Sequence, residues 1–296
     1  MALITEELDE LLKPANVELE VYSKMNPTLA MLGMFEKKNN KGKKHFAFAR
    51  DESNAETQIL NGILHEPVEI QEAAQLPQVQ ITGINKNVGH MHRIGFEAEF
   101  TEEALADNIN YDKVQKTIEY MGYAMSRTLN RHAYQILIQS AAAPTITLGD
   151  GAWDDDNEEI DNDIKKLQRA FKAQEGYDYT LTDMFVSQNA LWAAEDYYDA
   201  VRTNGFDPNN VRNSTLTGIE ELESGLLGMD MGLKPAKWYY NVYPEDNRLN
   251  EATGSFIHIN RVDKLDEIPR SVKIQMYVEY GFAVLEPKAV LFQEGI

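Results

Sequence analysis

His90 and His92 stand two residues apart as H-M-H, a spacing that can place both imidazoles on one side of a strand. Two imidazoles alone make a weak metal site, so a loop leading into a strand accounts for them better. His132 falls on an apolar helical stripe and has no Asp or Glu three or four residues away to orient it as a base. It reads as a core or interface histidine. The acidic run Asp154, Asp155, Asp156, Glu158, Glu159, Asp161 and Asp163 fails the calcium-loop pattern. With Asp154 in first place, Glu159 and Lys165 stand where Gly and Glu are needed. Acids that complement a helix N-terminus explain the run. The Gly-rich GLLGMDMG at 225–232 lacks phosphate-loop spacing, and its glycines suit close backbone approach. No dinucleotide fingerprint, nucleophile elbow or H-E-x-x-H motif occurs. The sequence therefore predicts no catalytic residue, no cofactor and no metal. The remaining cluster is cationic: Lys37, Lys38, Lys41, Lys43 and Lys44, five in eight residues around Asn39, Asn40 and Gly42. Such a run cannot pack in a core and reads as a solvated loop, or as a contact with a partner's acidic surface or with polyanion.

The elements that carry these residues follow from periodicity. A short amphipathic helix spans about Thr5 to Leu12 and ends at Pro14. The rest of the first 44 residues shows no stable period and reads as an arm. Residues 45–100 read as β-rich. HFAFAR alternates, VEIQEAAQLPQVQITGI follows, and Ile94, Phe96, Ala98 and Phe100 share one face of HRIGFEAEF. This predicts a long two-stranded excursion, which cannot stand alone and needs a surface to lie on. The strongest helix runs from Tyr111 to Ser140, with Val114, Ile118, Met121, Met125, Leu129, His132 and Ile136 at steps of three or four. Helices over Asn157–Gln174, stopped by Gly176, and over Gln188–Val201, with Trp192, Ala193 and Tyr197 inward, flank the short strand MFVS. Strands close the chain, with SVKIQMYVEYGFAVLEPKAVLFQ turning near Gly281 and Pro287 as a hairpin.

The chain has 296 residues, 28 basic and 48 acidic, for a net charge of -20. Tight wrapping of nucleic acid is thereby disfavoured. More than half of that charge sits in residues 150–261, with 22 acids and 10 bases, which suggests a separately exposed α/β unit. With no Cys, disulfides, thiolate zinc sites and cysteine catalysis are excluded. The start MALITEELDELL carries acids where a signal peptide carries cations, and no apolar run approaches a membrane span. The expectation is a soluble protein kept in a cytosol.

The order of elements resembles that of tailed-phage major capsid proteins with the Hong Kong 97-like fold. RIGFEAEFTEEAL (93–105) is similar to the strand leaving the extended loop, and residues 111–141 to the spine helix. TDMFVSQNALWAAEDY (182–197) is similar to the strand–helix step of the axial domain, and MYVEYGFAVLEPKAVLFQ (276–293) to the closing peripheral strands. The resemblance implies an α+β fold with an N-arm (1–44), an E-loop over a neighbouring subunit (45–95), a peripheral domain (96–149 and 262–296) and an axial domain (150–261). It implies an icosahedral shell around double-stranded DNA, assembled in a host cytoplasm and then part of the virion. The implied partners are further copies of the chain in pentamers and hexamers, a portal, a scaffolding protein and a decoration protein. The packaged DNA would be held without sequence-specific contact, and no membrane is involved. The implied subunit-contact residues are Lys37, Lys38, Lys41, Lys43, Lys44, Arg50 and Arg93. An encapsulin-like shell around an enzyme is the alternative within the fold, and a soluble α/β enzyme with its site in 150–261 is the alternative outside it.

Overall fold

In the computed structural model, the described residues are 6–51, 84–105, 111–143, 145–146, 153, 160–174, 178–201, 206–220, 222, 224–242, 256–264 and 270–296. The interior of the expected E-loop, the acids at 154–159 and the helix stop at Gly176 lie outside them. The chain forms two compact units. The first is Met1–Phe46, Gly89–Ala133 and Trp238–Phe282; the second is Ala47–Val88, Tyr134–Lys237 and Ala283–Ile296.

In the first unit, α1 (Glu6–Leu11) is followed at once by α2 (Pro14–Thr28). Pro14 does not merely end the first helix; it opens the second, where its missing N–H costs nothing. Val17, Val21 and Met25 recur every fourth residue and are fully buried. The positions beside this stripe, Glu18 and Tyr22, are polar or amphipathic although buried or half-buried, which is why no period stood out in the sequence. α2 lies against β9 (Ile257–Lys264) and crosses the spine helix α4 (Tyr111–Ser140). Gly122 makes the crossing possible: a Cβ there would sit 2.9 Å from the Val21 carbonyl oxygen. The Thr28 hydroxyl donates to Ser126 Oγ at 2.6 Å, and Asn130 Nδ2 donates to the Thr28 carbonyl at 2.7 Å.

The spine helix has the predicted bounds, but its buried stripe drifts. Val114, Ile118, Met121, Met125 and Leu129 are buried, then Ala133 and Leu137 rather than His132 and Ile136. The half-buried His132 meets the Tyr280 hydroxyl through Nδ1. Burial first, then His92 and Arg131, holds it below the usual imidazole range, while burial pushes Tyr280 up to about 12.

The main sheet runs β1 (Glu36–Asn39), β8 (Ala236–Tyr240), β10 (Ser271–Val284), β4 (His92–Thr101), with β9 also on β10. β10 and β4 are antiparallel from Ser271↔Thr101 to Tyr280↔His92. A separate ribbon pairs β2 (His45–Asp51) with β3 (Ile84–His90), the described stem of the expected excursion. A one-turn helix, α3 (Glu102–Leu105), follows β4.

The expected closing hairpin does not form. Gly281 lies inside β10, not in a turn. Its missing Cβ leaves room for the Phe46 ring, which a Cβ would meet at 2.2 Å.

In the second unit, β11 (Val290–Gln293), β7 (Leu226–Met229), β5 (Asp183–Ser187) and β6 (Thr215–Ile219) form a four-stranded sheet. β5 and β6 are parallel and are joined through α6 (Gln188–Val201), as a parallel pair requires a crossover. β11 pairs antiparallel with β7 and not with β10. α5 (Ile160–Lys172) contributes Ile160, Ile164, Leu167 and Phe171 to the core, joined by Ala190, Ala194 and Tyr198 of α6. α6 has the predicted bounds with a rotated face: Ala190, Ala194 and Tyr198 are buried, Ala193 and Tyr197 only partly, and Trp192 points out, 55% exposed. The glycines of 225–232 serve close approach, since a Cβ on Gly228 would meet Leu181 at 2.5 Å.

Candidate subunit-contact surface

Lys37 and Lys38 do not lie in a loop. They belong to β1, where pairing with β8 places Lys37 Nζ 6.0 Å from the Trp238 ring centre and Lys38 Nζ 5.6 Å from that of Tyr239. The aromatic faces attract these ammonium groups while their heads stay exposed. Lys41 and Gly42 then both take positive φ, 55° and 72°, as a mirror-image two-residue turn requires. The Asn39 side chain accepts from the Lys41 N–H at 2.8 Å, which eases a non-glycine residue into that region. All five lysines are exposed.

A buried polar network fixes this turn. Asn241 is 1% exposed. Its Oδ1 accepts from the Gly42 N–H at 3.1 Å, and its Nδ2 donates to the Lys43 carbonyl at 3.2 Å and to Glu279 Oε2 at 2.8 Å. Its own carbonyl oxygen lies 3.1 Å from His258 Nε2, so that nitrogen carries the proton. Glu279 Oε1 in turn accepts from Arg93 Nε at 2.9 Å and pairs with the Arg93 Nη2 group. The Arg93 guanidinium lies 4.5 Å above the Tyr277 ring, and His258 stacks on that ring at 4.7 Å. Gly95 faces Tyr277 across the ladder, where a Cβ would crowd it. Arg93, though 60% exposed at its side chain, is thus held by a nearly buried carboxylate and a ring. The network joins the lysine turn and Arg93 in one construction. Arg50 belongs to the second unit; it lies on β2 and is half-buried.

The histidines do not converge. The His90 ring meets His45 edge-on at 4.6 Å, and the His92 ring lies 5.9 Å from Tyr280. Among the described residues no group of three or more His, Asp or Glu side chains is placed to hold a metal ion. No helix among them is long and apolar enough to cross a membrane. Asn241, Glu279 and His258 gave no sequence signal: each is a single polar residue in or beside a strand, and their meeting depends on strand pairing.

Comparison with known proteins decides what this surface belongs to. A family model described as phage capsid protein matches residues 90–291. The chain belongs to this phage capsid protein family. No curated protein matches the capsid protein. Among solved structures, it is similar to the virus-like particle from Pyrococcus furiosus, with a TM-score of 0.60 at 8% identity over 94% of this chain and 97% of that one. It is similar to the capsid of a native GTA particle, with a TM-score of 0.60 at 11% identity over 90% of each chain. It is also similar to the encapsulin SrpI of Synechococcus elongatus, with a TM-score of 0.58 at 11% identity over 92% and 88%. These likenesses carry the Hong Kong 97-like fold. The capsid protein is a structural head protein of the virion, not an enzyme.

Proposed function

We propose that many copies of this capsid protein close into an icosahedral shell around the double-stranded DNA of a tailed virus, assembling in the host cytoplasm. The observation that carries the reading is the capsid family match over 90–291, on a chain that folds as such shell proteins do. In this reading residues 1–44 are the arm, 45–95 the loop lying on a neighbour, 96–149 with 262–296 the peripheral wall, and 150–261 the part that meets its copies around five- and six-fold axes. Lys37, Lys38, Lys41, Lys43, Lys44, Arg50 and Arg93 are its subunit contacts. A portal, a scaffolding protein and a decoration protein complete the head. A net charge of -20 suits a container through which DNA must slide, because a strongly cationic lumen would bind the incoming polymer.

The encapsulin likeness favours a second reading, a shell enclosing a protein cargo. Electron microscopy of the purified protein tests both. Shells or rings of five and six support assembly, whereas a stable monomer at all concentrations overturns it. Nuclease-protected DNA in particles from infected or induced cells supports the virus reading. A co-purifying enzyme in place of DNA supports the other.

A further inference from the structure

The rigid lysine turn implies a particular seat. Lys41, Lys43 and Lys44 are exposed, and among the described residues no carboxylate lies within ion-pair distance of any of them. Several acids are already engaged within the chain. Glu97 and Glu99 pair with Lys273, Asp161 with Arg212, and Asp9 with Arg261. The outward face of α6 differs. Trp192 stands 55% exposed, and Glu195, Asp196 and Asp199 follow at three, four and seven residues, so all four share one face. The helix carries no Lys or Arg. Among the described residues no cation pairs with Glu195 or Asp196, while Asp199 accepts the Phe206 N–H at 2.9 Å and keeps its second oxygen. An exposed indole with carboxylates one turn along is chemically a seat for ammonium groups: the ring face takes one and the carboxylates take others.

We propose that the Lys41–Lys44 turn of one copy docks on the Trp192–Asp199 face of α6 in a second copy. The proposal rests on the shell reading and names the contact within it. Three cations that pair with no carboxylate among the described residues meet three acids, and the one large exposed aromatic of α6 supplies the centre that tight interfaces use. The two patches differ, so the contact is heterologous: each copy offers one of each, and repetition closes rings when the rotation allows.

Charge reversal tests it on the full-length protein. One variant carries Lys41→Glu, Lys43→Glu and Lys44→Glu; the other carries Glu195→Lys, Asp196→Lys and Asp199→Lys. All six positions are exposed, and a thermal melt checks that each variant folds; the pair Lys43→Glu and Asp196→Lys repeats the test if a triple does not. Each variant alone is expected to lose at least tenfold in assembled fraction by sedimentation. The chain carrying all six changes is expected to recover. An equimolar mixture of the two triples can satisfy its contacts only by alternating, so it is expected to give rings of even number and no five-fold rings. Trp192→Ala should lower assembly while leaving the melt unchanged. Wild-type yield from both triples, or no recovery in the six-fold variant, overturns the proposal and leaves the shell reading standing. Failure of the wild type itself to form rings or shells overturns the shell reading.

Discussion

Asn241 shows how much of the lysine turn depends on one side chain. Its amide uses both donor hydrogens and its acceptor on Lys43, Glu279 and Gly42, and a buried amide that is fully satisfied is worth most when it is lost. Asn241→Ala strands the Gly42 N–H and removes a donor to Glu279, with the Arg93 pair still in place. Its expected cost is about 1–3 kcal/mol in chemical denaturation. A loss under about 0.5 kcal/mol would mean that the turn is held without it. The cationic half of this construction was legible in the sequence, because five lysines in eight residues can only be exposed. The anchor was not, because Asn241 lies 199 residues from Gly42 and nothing local marks it as their meeting point. Lys37 and Lys38 show a related limit. Their charge forced exposure but did not exclude a strand, since an edge strand leaves lysine heads in water while their stems cross a neighbouring ring.

At the scale of elements, the spine helix and α6 were legible from end to end because long apolar recurrences fix a helix. Their buried faces were less so. Reading Trp192 inward put it in the core, but the core side of α6 is made by Ala190, Ala194 and Tyr198, a face rotated away from Trp192. Gly281 misled as well: a glycine that signals a turn in sequence is here a gap for the Phe46 ring. Gly122 turns this into a test. In an exposed helix interior, Gly→Ala stabilises by up to about 1 kcal/mol. At Gly122 the new Cβ would face backbone, 2.9 Å from the Val21 oxygen and 3.3 Å from its Cα, and neither is a flexible side-chain end. Overpacking therefore outweighs propensity. Gly122→Ala is expected to destabilise by about 1–3 kcal/mol in a thermal or denaturant melt. A more stable variant would show that α2 can move off the spine helix at little cost.

Over the whole molecule, charge and burial divide the labour. The charge of -20 is concentrated in 150–261, while the first 44 residues hold equal numbers of acids and bases. An arm in the sequence suggests a part devoted to neighbours, yet Leu8, Leu12, Val17, Val21 and Met25 are each fully buried within their own chain. At about 1.5–3 kcal/mol for each such side chain, their burial contributes about 8–15 kcal/mol before the entropy of ordering two helices is counted. That is as large as the net stability of a typical domain, about 5–15 kcal/mol. Deleting residues 1–28 should therefore unfold the first unit and not yield a folded subunit that merely fails to assemble. The comparison is a chain with Lys41, Lys43 and Lys44 replaced by Ser, which leaves the ring contacts of Lys37 and Lys38 in place and should keep the wild-type melt. Circular dichroism separates the two outcomes. A truncated chain that retains a cooperative melt near the wild-type temperature would make the arm an accessory to assembly. Loss of that transition in the truncation alone would make its two helices part of the subunit's own core, with only the lysine turn beyond them left to act on a neighbour.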